Sequence, residues 1–184
     1  MSDADRDPAA AAREHLLETR TATLEAVLDA ADTVATGDPT GSDDPTGAAA
    51  AGTPDATASS GAAGWLRLDD GRLATPDRDA LVPVFRAVLD DRGILGGLPE
   101  LLAEAVEAAG YDLPATPVPA PPYVAVTSTG PVLRATVEDG RLVVRIDCFE
   151  VVRGVDGAGE PGVVYARTAT EPPAALSVSF TSSN

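Results

Sequence analysis

The chain has 184 residues, a net charge of −16 and an isoelectric point near 4.2. Its single cysteine excludes an internal disulfide framework and a cysteine-rich metal site. The strongly negative charge argues against nucleic acid as a partner, because phosphate binding requires a positive surface.

Arginine supplies all 13 basic residues of the chain, and lysine is absent. Arginine is more weakly hydrated than lysine and pairs with carboxylates through two hydrogen bonds. In molar salt the screening length falls to about 3 Å, so a dense field of carboxylates repels itself little and keeps the protein hydrated. We therefore expect an acidic protein of a halophilic organism.

No feature of the sequence indicates a membrane location. The acidic start, Met1–Asp5, lacks the apolar core of a secretory signal. Prolines interrupt the uncharged stretch from Leu113 to Leu133, which is therefore not a membrane span. We expect a soluble, cytoplasmic protein.

Residues 1–36 are predicted to form one long amphipathic helix from Pro8 to Ala35, which ends at Gly37 and Pro39. Its apolar residues recur at helical spacing and form one stripe. The stripe consists of Leu16, Leu17, Leu24, Val27, Leu28, Ala31 and Val34. This helix is also a candidate surface for a protein partner or for homodimerisation.

Residues 37–64 form a segment of low complexity. The sequence Asp38-Pro39-Thr40-Gly41 repeats as Asp44-Pro45-Thr46-Gly47, and small residues follow. The segment has little apolar surface to bury, so the entropy cost of ordering it would not be offset. We predict a disordered insertion between two ordered parts.

Residues 65–112 are predicted to contain a short hairpin around Asp70-Gly71 and then a helical pair. Thr75-Pro76 is expected to open the first helix of the pair, which ends at Gly93. The second helix is expected from Pro99 to Ala109. Short links of this kind favour antiparallel neighbours.

In residues 113–184 the apolar period changes to two, which is typical of half-buried strands. We expect an antiparallel β-sheet with the helices packed on its apolar side, which makes the predicted fold class α+β. The predicted strands are Tyr123–Thr127, Val132–Glu138, Arg141–Val152, Val163–Thr168 and Leu176–Phe180.

Asp139-Gly140 has the sequence of a two-residue hairpin turn. Such a turn would pair Leu133 with Ile146 on the core face and Arg134 with Arg145 on the polar face. Like charges that face each other across a sheet are unfavourable. Either a neighbouring carboxylate neutralises the two arginines, or an anionic ligand does.

The polar face of this hairpin is the candidate site for a small anionic ligand, which guanidinium groups hold through paired hydrogen bonds. Residues 113–184 contain five arginines and seven acids, so they are nearly neutral beside the rest of the chain. Tyr165 or Arg167 would join the site if their strand lies alongside. The candidate ligand-binding residues are Arg134, Thr136, Arg145 and Asp147.

No residue set in the sequence predicts catalysis, metal binding or a cofactor. His15 is the only histidine, and with Glu18 it provides one fragment of the repeated motifs that metal-binding bundles require. Cys148 is in phase with the apolar residues of its strand, so we expect a buried thiol. We assign no catalytic residue, no metal ligand and no cofactor.

In composition the chain resembles the cytosolic proteins of haloarchaea. It is similar to a small uncharacterised haloarchaeal family with an N-terminal helical part and a C-terminal β part. The resemblance is carried by the helix Ala9–Ala35, the exit Tyr111–Pro114 and the run Pro121–Phe149. It implies the architecture but no known activity.

Three functions stay open at this point. A non-catalytic protein that binds a small ligand or another protein is favoured, because no catalytic constellation is present. The alternative is an enzyme that acts on a small anionic substrate at the Arg134/Arg145 face. The third is a structural subunit that pairs through the first helix. A buried cleft beside the arginines would favour the enzyme, and a flat sheet would favour the interaction protein.

Overall fold

The computed structural model describes residues 7–37, 64–157, 160–168 and 171–183. The predicted insertion therefore lies almost entirely outside the described residues. The helices are α1 (Pro8–Thr19), α2 (Thr21–Thr36), α3 (Arg78–Asp91), α4 (Ile94–Ala108) and the short α5 (Pro172–Ala175). The strands are β1 (Leu66–Arg67), β2 (Leu73–Thr75), β3 (Val124–Val126), β4 (Pro131–Val137), β5 (Gly140–Ile146), β6 (Phe149–Gly157), β7 (Glu160–Arg167) and β8 (Leu176–Ser182). The predicted α+β class is confirmed.

The prediction of a single long N-terminal helix was wrong, because the chain leaves helical geometry at Arg20 and continues as α2. Threonines flank the break, and their hydroxyls compete for backbone carbonyls: Thr19 Oγ1 donates to the carbonyl of His15 at 2.8 Å. The Arg20 guanidinium then reaches across to Glu104 of α4, with Nε 2.7 Å from Oε2. This ion pair holds the junction against the helical pair.

Within the described residues, the single predicted sheet is in fact two antiparallel sheets of four strands each. One has the order β3-β4-β5-β8, and the other has the order β1-β2-β7-β6. The hairpin before the helical pair thus contributes β1 and β2 to the second sheet. The predicted strand Arg141–Val152 is divided where the chain passes between the sheets. At this point the backbone N–H groups of Cys148 and Phe149 both donate to the carbonyl of Thr129, at 2.7 and 3.0 Å.

One core joins the helices to the inner face of the sheet β3-β4-β5-β8. Leu133, Leu142, Val144 and Ile146 are fully buried from the sheet side. Helix α4 packs on β4 and β5, and α1 packs on β8. The predicted core face and the helical cover over it are therefore confirmed.

Cys148 is fully buried, as predicted. Burial raises the pKa of its thiol to about 12, because the interior disfavours the thiolate. The nearby Arg167 opposes this shift but is outweighed. The group is therefore a neutral core residue rather than a nucleophile.

The hairpin between β4 and β5 has a different register from the predicted one. Val137 pairs with Gly140, so Glu138 and Asp139 form the two-residue turn. Gly140 is a strand residue: a Cβ atom there would lie 2.3 Å from the carbonyl oxygen of Thr181 on β8. The glycine is required by the close approach of β8 and not by the turn. The shift is two residues, so every side chain keeps its predicted face.

Arg167 ties α2 to the second sheet and takes no part in the predicted site. The residue is only 8% exposed. Nε donates to Asp32 Oδ1 at 2.7 Å, while Nη1 and Nη2 donate to the carbonyls of Cys148 and Leu28 at 3.0 and 3.1 Å. Its strand, β7, lies in the other sheet from Arg134. The condition under which Tyr165 or Arg167 would join the ligand site, a strand alongside, is therefore not met.

Candidate functional site

The outer face of the sheet β3-β4-β5-β8 differs in charge from the rest of the chain. Its four strands contain three arginines and no acidic residue, although the chain has 29 acids. Strand alternation turns Arg134, Arg141 and Arg145 to the exposed face, away from the helices. Ser177, Ser179 and Thr181 of β8 lie exposed on the same face. The result is a face of guanidinium and hydroxyl groups.

A cleft of about 500 Å³ opens at the β3 end of this face. The volume lies within the range of about 300–1,000 Å³ that small-molecule sites occupy. Its polar lining comes from Arg134 and Thr136 of β4 and from Arg141 of β5. Its apolar lining comes from Pro114, Pro121, Pro122, Tyr123 and Ala125.

The arrangement of the polar residues follows from the ladder. Thr136 pairs directly with Arg141, and Arg134 pairs with Val143, so the two arginines are diagonal neighbours about the threonine. Diagonal neighbours lie about 7–8 Å apart, within reach of two long side chains that share one ligand. Among the residues that the structure describes, neither guanidinium has an ion pair or a hydrogen bond.

The predicted pair Arg134/Arg145 is not formed. In the observed register Arg145 pairs with Val132, and its Nη2 donates to Asp147 Oδ1 at 3.0 Å. This ion pair lines a separate cavity of about 310 Å³, together with Thr129. Of the four candidate residues, the structure brings Arg134 and Thr136 together in the cleft. Arg145 and Asp147 lie elsewhere.

Sequence reasoning missed Arg141 and the apolar side of the cleft. The alternation had already placed Arg141 on the polar face, and only the misassigned turn kept it from facing Thr136. Tyr123 was seen as the start of a strand. Its backbone lies beside Arg134, whose N–H donates to the Tyr123 carbonyl at 2.8 Å. The many prolines just before β3 were the sequence signal for an apolar surface at the β3 edge of the sheet.

A second concave region lies between α1 and α4, where His15, Arg20, Glu104 and Glu107 line a cavity of about 490 Å³. The hydrogen bond from Arg20 lowers the pKa of Glu104, and this carboxylate is therefore committed to an ion pair. Within the described ranges, no three or more His, Cys, Asp or Glu side chains are arranged to hold a metal ion. None of the helices in these ranges is both long and apolar enough to cross a membrane.

The fold and the cleft together define an α+β protein in which helices cover one sheet face and the opposite face is cationic and concave. A family model described as Domain of unknown function (DUF7988) matches residues 10–181. The chain belongs to this family, and the match runs through the helices and both sheets. No curated protein and no solved structure gave a significant match to the chain.

Proposed function

We propose that this chain is a non-catalytic protein that binds a small anionic ligand in the cleft of Arg134, Thr136 and Arg141. One observation carries the proposal: two arginines without an ion-pair partner among the described residues line one cleft, in a sheet without acids. Guanidinium groups hold carboxylates and phosphates through paired, charge-assisted hydrogen bonds. At low ionic strength the acidic body around the cleft would repel large polyanions and still admit a small anion.

The cleft is open rather than buried, because Arg134, Thr136 and Arg141 are all exposed, so it is not the buried cleft that would favour an enzyme. Its shape and its lining support binding over the other functions considered. A concave site suits a small ligand better than a flat protein surface does. Its lining residues supply hydrogen-bond donors and apolar surface, whereas acid–base catalysis usually draws on histidine or carboxylate groups. An enzyme that acts on a small anion at this cleft remains the alternative, and turnover of a bound ligand would identify it.

A partner that binds through the first helix has less support, because the apolar stripe is used within the chain. Leu16 of α1 and Leu24, Val27 and Leu28 of α2 are buried in the common core. A partner at these helices would meet their exposed, acidic side instead. Gel filtration at several protein concentrations tests for such an assembly directly.

The ligand proposal is tested by calorimetric titration with inorganic phosphate and acetate. We expect the double variant Arg134→Gln/Arg141→Gln to lose binding that the wild type shows. The matched control is Arg145→Gln, because Arg145 is held by Asp147 outside the cleft and its loss should leave binding unchanged. Equal loss in the control and the double variant, or binding that survives in the double variant, would reject this cleft as the site.

We also propose that the protein works in the cytoplasm of a halophile. The support is the charge of −16 with arginine as the only basic residue. Screening in molar salt removes much of the repulsion among the carboxylates. Thermal melts should therefore show a midpoint that rises from about 0.1 M to about 2 M potassium chloride, where screening is nearly complete. A midpoint that stays flat or falls would contradict the proposal.

A further inference from the structure

The cleft has a cationic end and an apolar end, and the order of the strands separates them. The strands β3, β4 and β5 lie side by side, so Tyr123 and Ala125 stand at one end and Arg141 at the other. Neighbouring strands are about 4.8 Å apart, which puts the two ends about 10 Å from each other. This span matches a single ring that carries one anionic group.

The apolar end offers few groups with which a polar ligand could form hydrogen bonds. Pro114, Pro121 and Pro122 have no backbone N–H to donate. The N–H of Tyr123 is taken by the carbonyl of Ala120 at 3.1 Å, and its carbonyl is taken by the N–H of Arg134 at 2.8 Å. The phenol of Tyr123 is the polar side-chain group that remains there. A polar ligand body would lose its water at this end and find few replacement partners beyond that phenol.

An apolar body would gain from the same surface. The half-buried ring of Tyr123 and the flat faces of the prolines provide a platform for another ring, and aromatic rings stack favourably in offset or edge-on geometry. Arg134 is the backbone neighbour of Tyr123 on the adjacent strand and lines the same cleft. A ring with an anionic group would therefore match both ends of the cleft at once.

We infer that the ligand is an anion carried on an apolar, ring-containing body, such as an aryl phosphate or an aryl carboxylate, rather than a bare inorganic anion. This inference rests on the proposed function, since it names the ligand class of the same cleft. Salt separates the two contributions: screening weakens the charge contact, whereas apolar contact is not weakened by screening. A ligand with an apolar body is therefore the kind that still binds in concentrated salt.

The test compares phenyl phosphate with inorganic phosphate, and benzoate with acetate, by calorimetric titration of the full chain. We expect the aryl ligand to bind at least about tenfold more tightly in each pair, which corresponds to about 1.4 kcal/mol. Raising potassium chloride from about 0.1 M to about 2 M should weaken the binding of all four ligands, because screening acts on the charge contact that they share. The ratio within each pair should stay at least as large, because the apolar contact is not screened.

Two variants locate the two contributions. Tyr123→Leu keeps an apolar side chain and removes the ring, so it should reduce the aryl advantage, measured as the ratio of the two dissociation constants, to about threefold or less. Tyr123 also packs against the core, so a second variant, Ala125→Gln, places a polar group at the apolar end and should have the same effect. The double variant Arg134→Gln/Arg141→Gln should weaken all four ligands.

The outcomes separate this inference from the proposed function. If the aryl and simple anions bind equally, the ligand class is wrong while the anion site stands. If none of the four binds, both fail. If the aryl advantage persists unchanged in Tyr123→Leu and in Ala125→Gln, the ring binds outside this cleft and the inference is overturned. Benzyl alcohol is the neutral probe, and binding as tight as that of benzoate would remove the role of the anionic group.

Discussion

Adjacent valines in β5 offer the sharpest test of the two-faced sheet. Val144 is 0% exposed and pairs with Leu133 and Val178, whereas Val143 is half-buried on the outer face and pairs with Arg134 and Ser179. The same substitution at both positions therefore meets opposite environments. Val144→Asp places a carboxyl group in the core, and Val143→Asp places one opposite a guanidinium.

The expected magnitudes differ by several kcal/mol. Val144→Asp loses about 1.5–3 kcal/mol of apolar burial and adds an unpartnered polar group that costs about 1–3 kcal/mol or more. The sum approaches the total stability of about 5–15 kcal/mol that small domains have. Val143→Asp should stay within about 1 kcal/mol of the wild type, because cross-strand ion pairs contribute about 0.2–1 kcal/mol.

Urea unfolding followed by circular dichroism measures both variants, at the lowest salt in which the wild type is fully folded. Val144→Asp is expected to leave little folded protein, so Val144→Thr serves as the milder core variant, with Val143→Thr as its control. A double-mutant cycle between Val143→Asp and Arg134→Gln tests the register, because these residues are directly opposite only in the observed one. Equal losses at the two valines, or no coupling to Arg134, would refute the two-faced sheet or its register.

Three further predictions concern the residues that hold the fold. Gly130→Ala should destabilise the protein by more than about 2 kcal/mol, because the new Cβ would lie 1.9 Å from the carbonyl oxygen of Ile146 and the backbone has a φ of 144°. Gly96→Ala in α4 has open space around the new Cβ and should stabilise the protein by about 0.5–1 kcal/mol. Urea unfolding measures both. Arg167→Met should cost about 2–4 kcal/mol in the same assay, since it removes the ion pair with Asp32 and two further hydrogen bonds to backbone carbonyls. Cys148 should resist alkylation until the protein unfolds. Its pKa in the folded protein is about 12, above the ordinary value of 9.0. The contribution of the neutral thiol to the free energy of unfolding is therefore complete below about pH 9 and is lost as the pH rises to about 12. Rapid labelling of the folded protein at pH 8, or equal stability of the two glycine variants, would contradict these expectations.

The faces of the elements could be predicted from local pattern, and the positions where elements end could not. Alternation along β4 and β5 identified the buried residues correctly, because a register error of two residues leaves every side chain on its face. The break at Arg20 depends on a partner, Glu104, that is 84 residues away. The passage between the sheets near Cys148 depends on the carbonyl of Thr129. Neither partner is visible in a window of a few residues.

The two-residue register error in the β4–β5 hairpin affected the prediction of the candidate site more than the prediction of the core. Core packing needs only that Leu133 and Val144 point inward, but a two-arginine site needs a particular cross-strand neighbour. The sequence Asp139-Gly140 predicts a turn residue at position 140, because glycine after aspartate is common in two-residue hairpin turns. The actual role of Gly140 is to let β8 pass close by, and that role depends on a strand more than 30 residues later in the chain.

Because the chain has 29 acidic residues and 13 arginines, the position of an arginine is better evidence of a binding site than the position of a carboxylate. Most of the arginines that the structure describes have a partner: Arg20 has Glu104, Arg145 has Asp147, and Arg167 has Asp32 with two carbonyls. The charge of such a guanidinium is balanced by an ion pair within the fold. Arg134 and Arg141 differ because both line one cleft, on a face whose strands contain no acid. The site is therefore identified by cations that lie together in a cleft and have no ion-pair partner among the described residues. The hairpin of β4 and β5 contains two such cations.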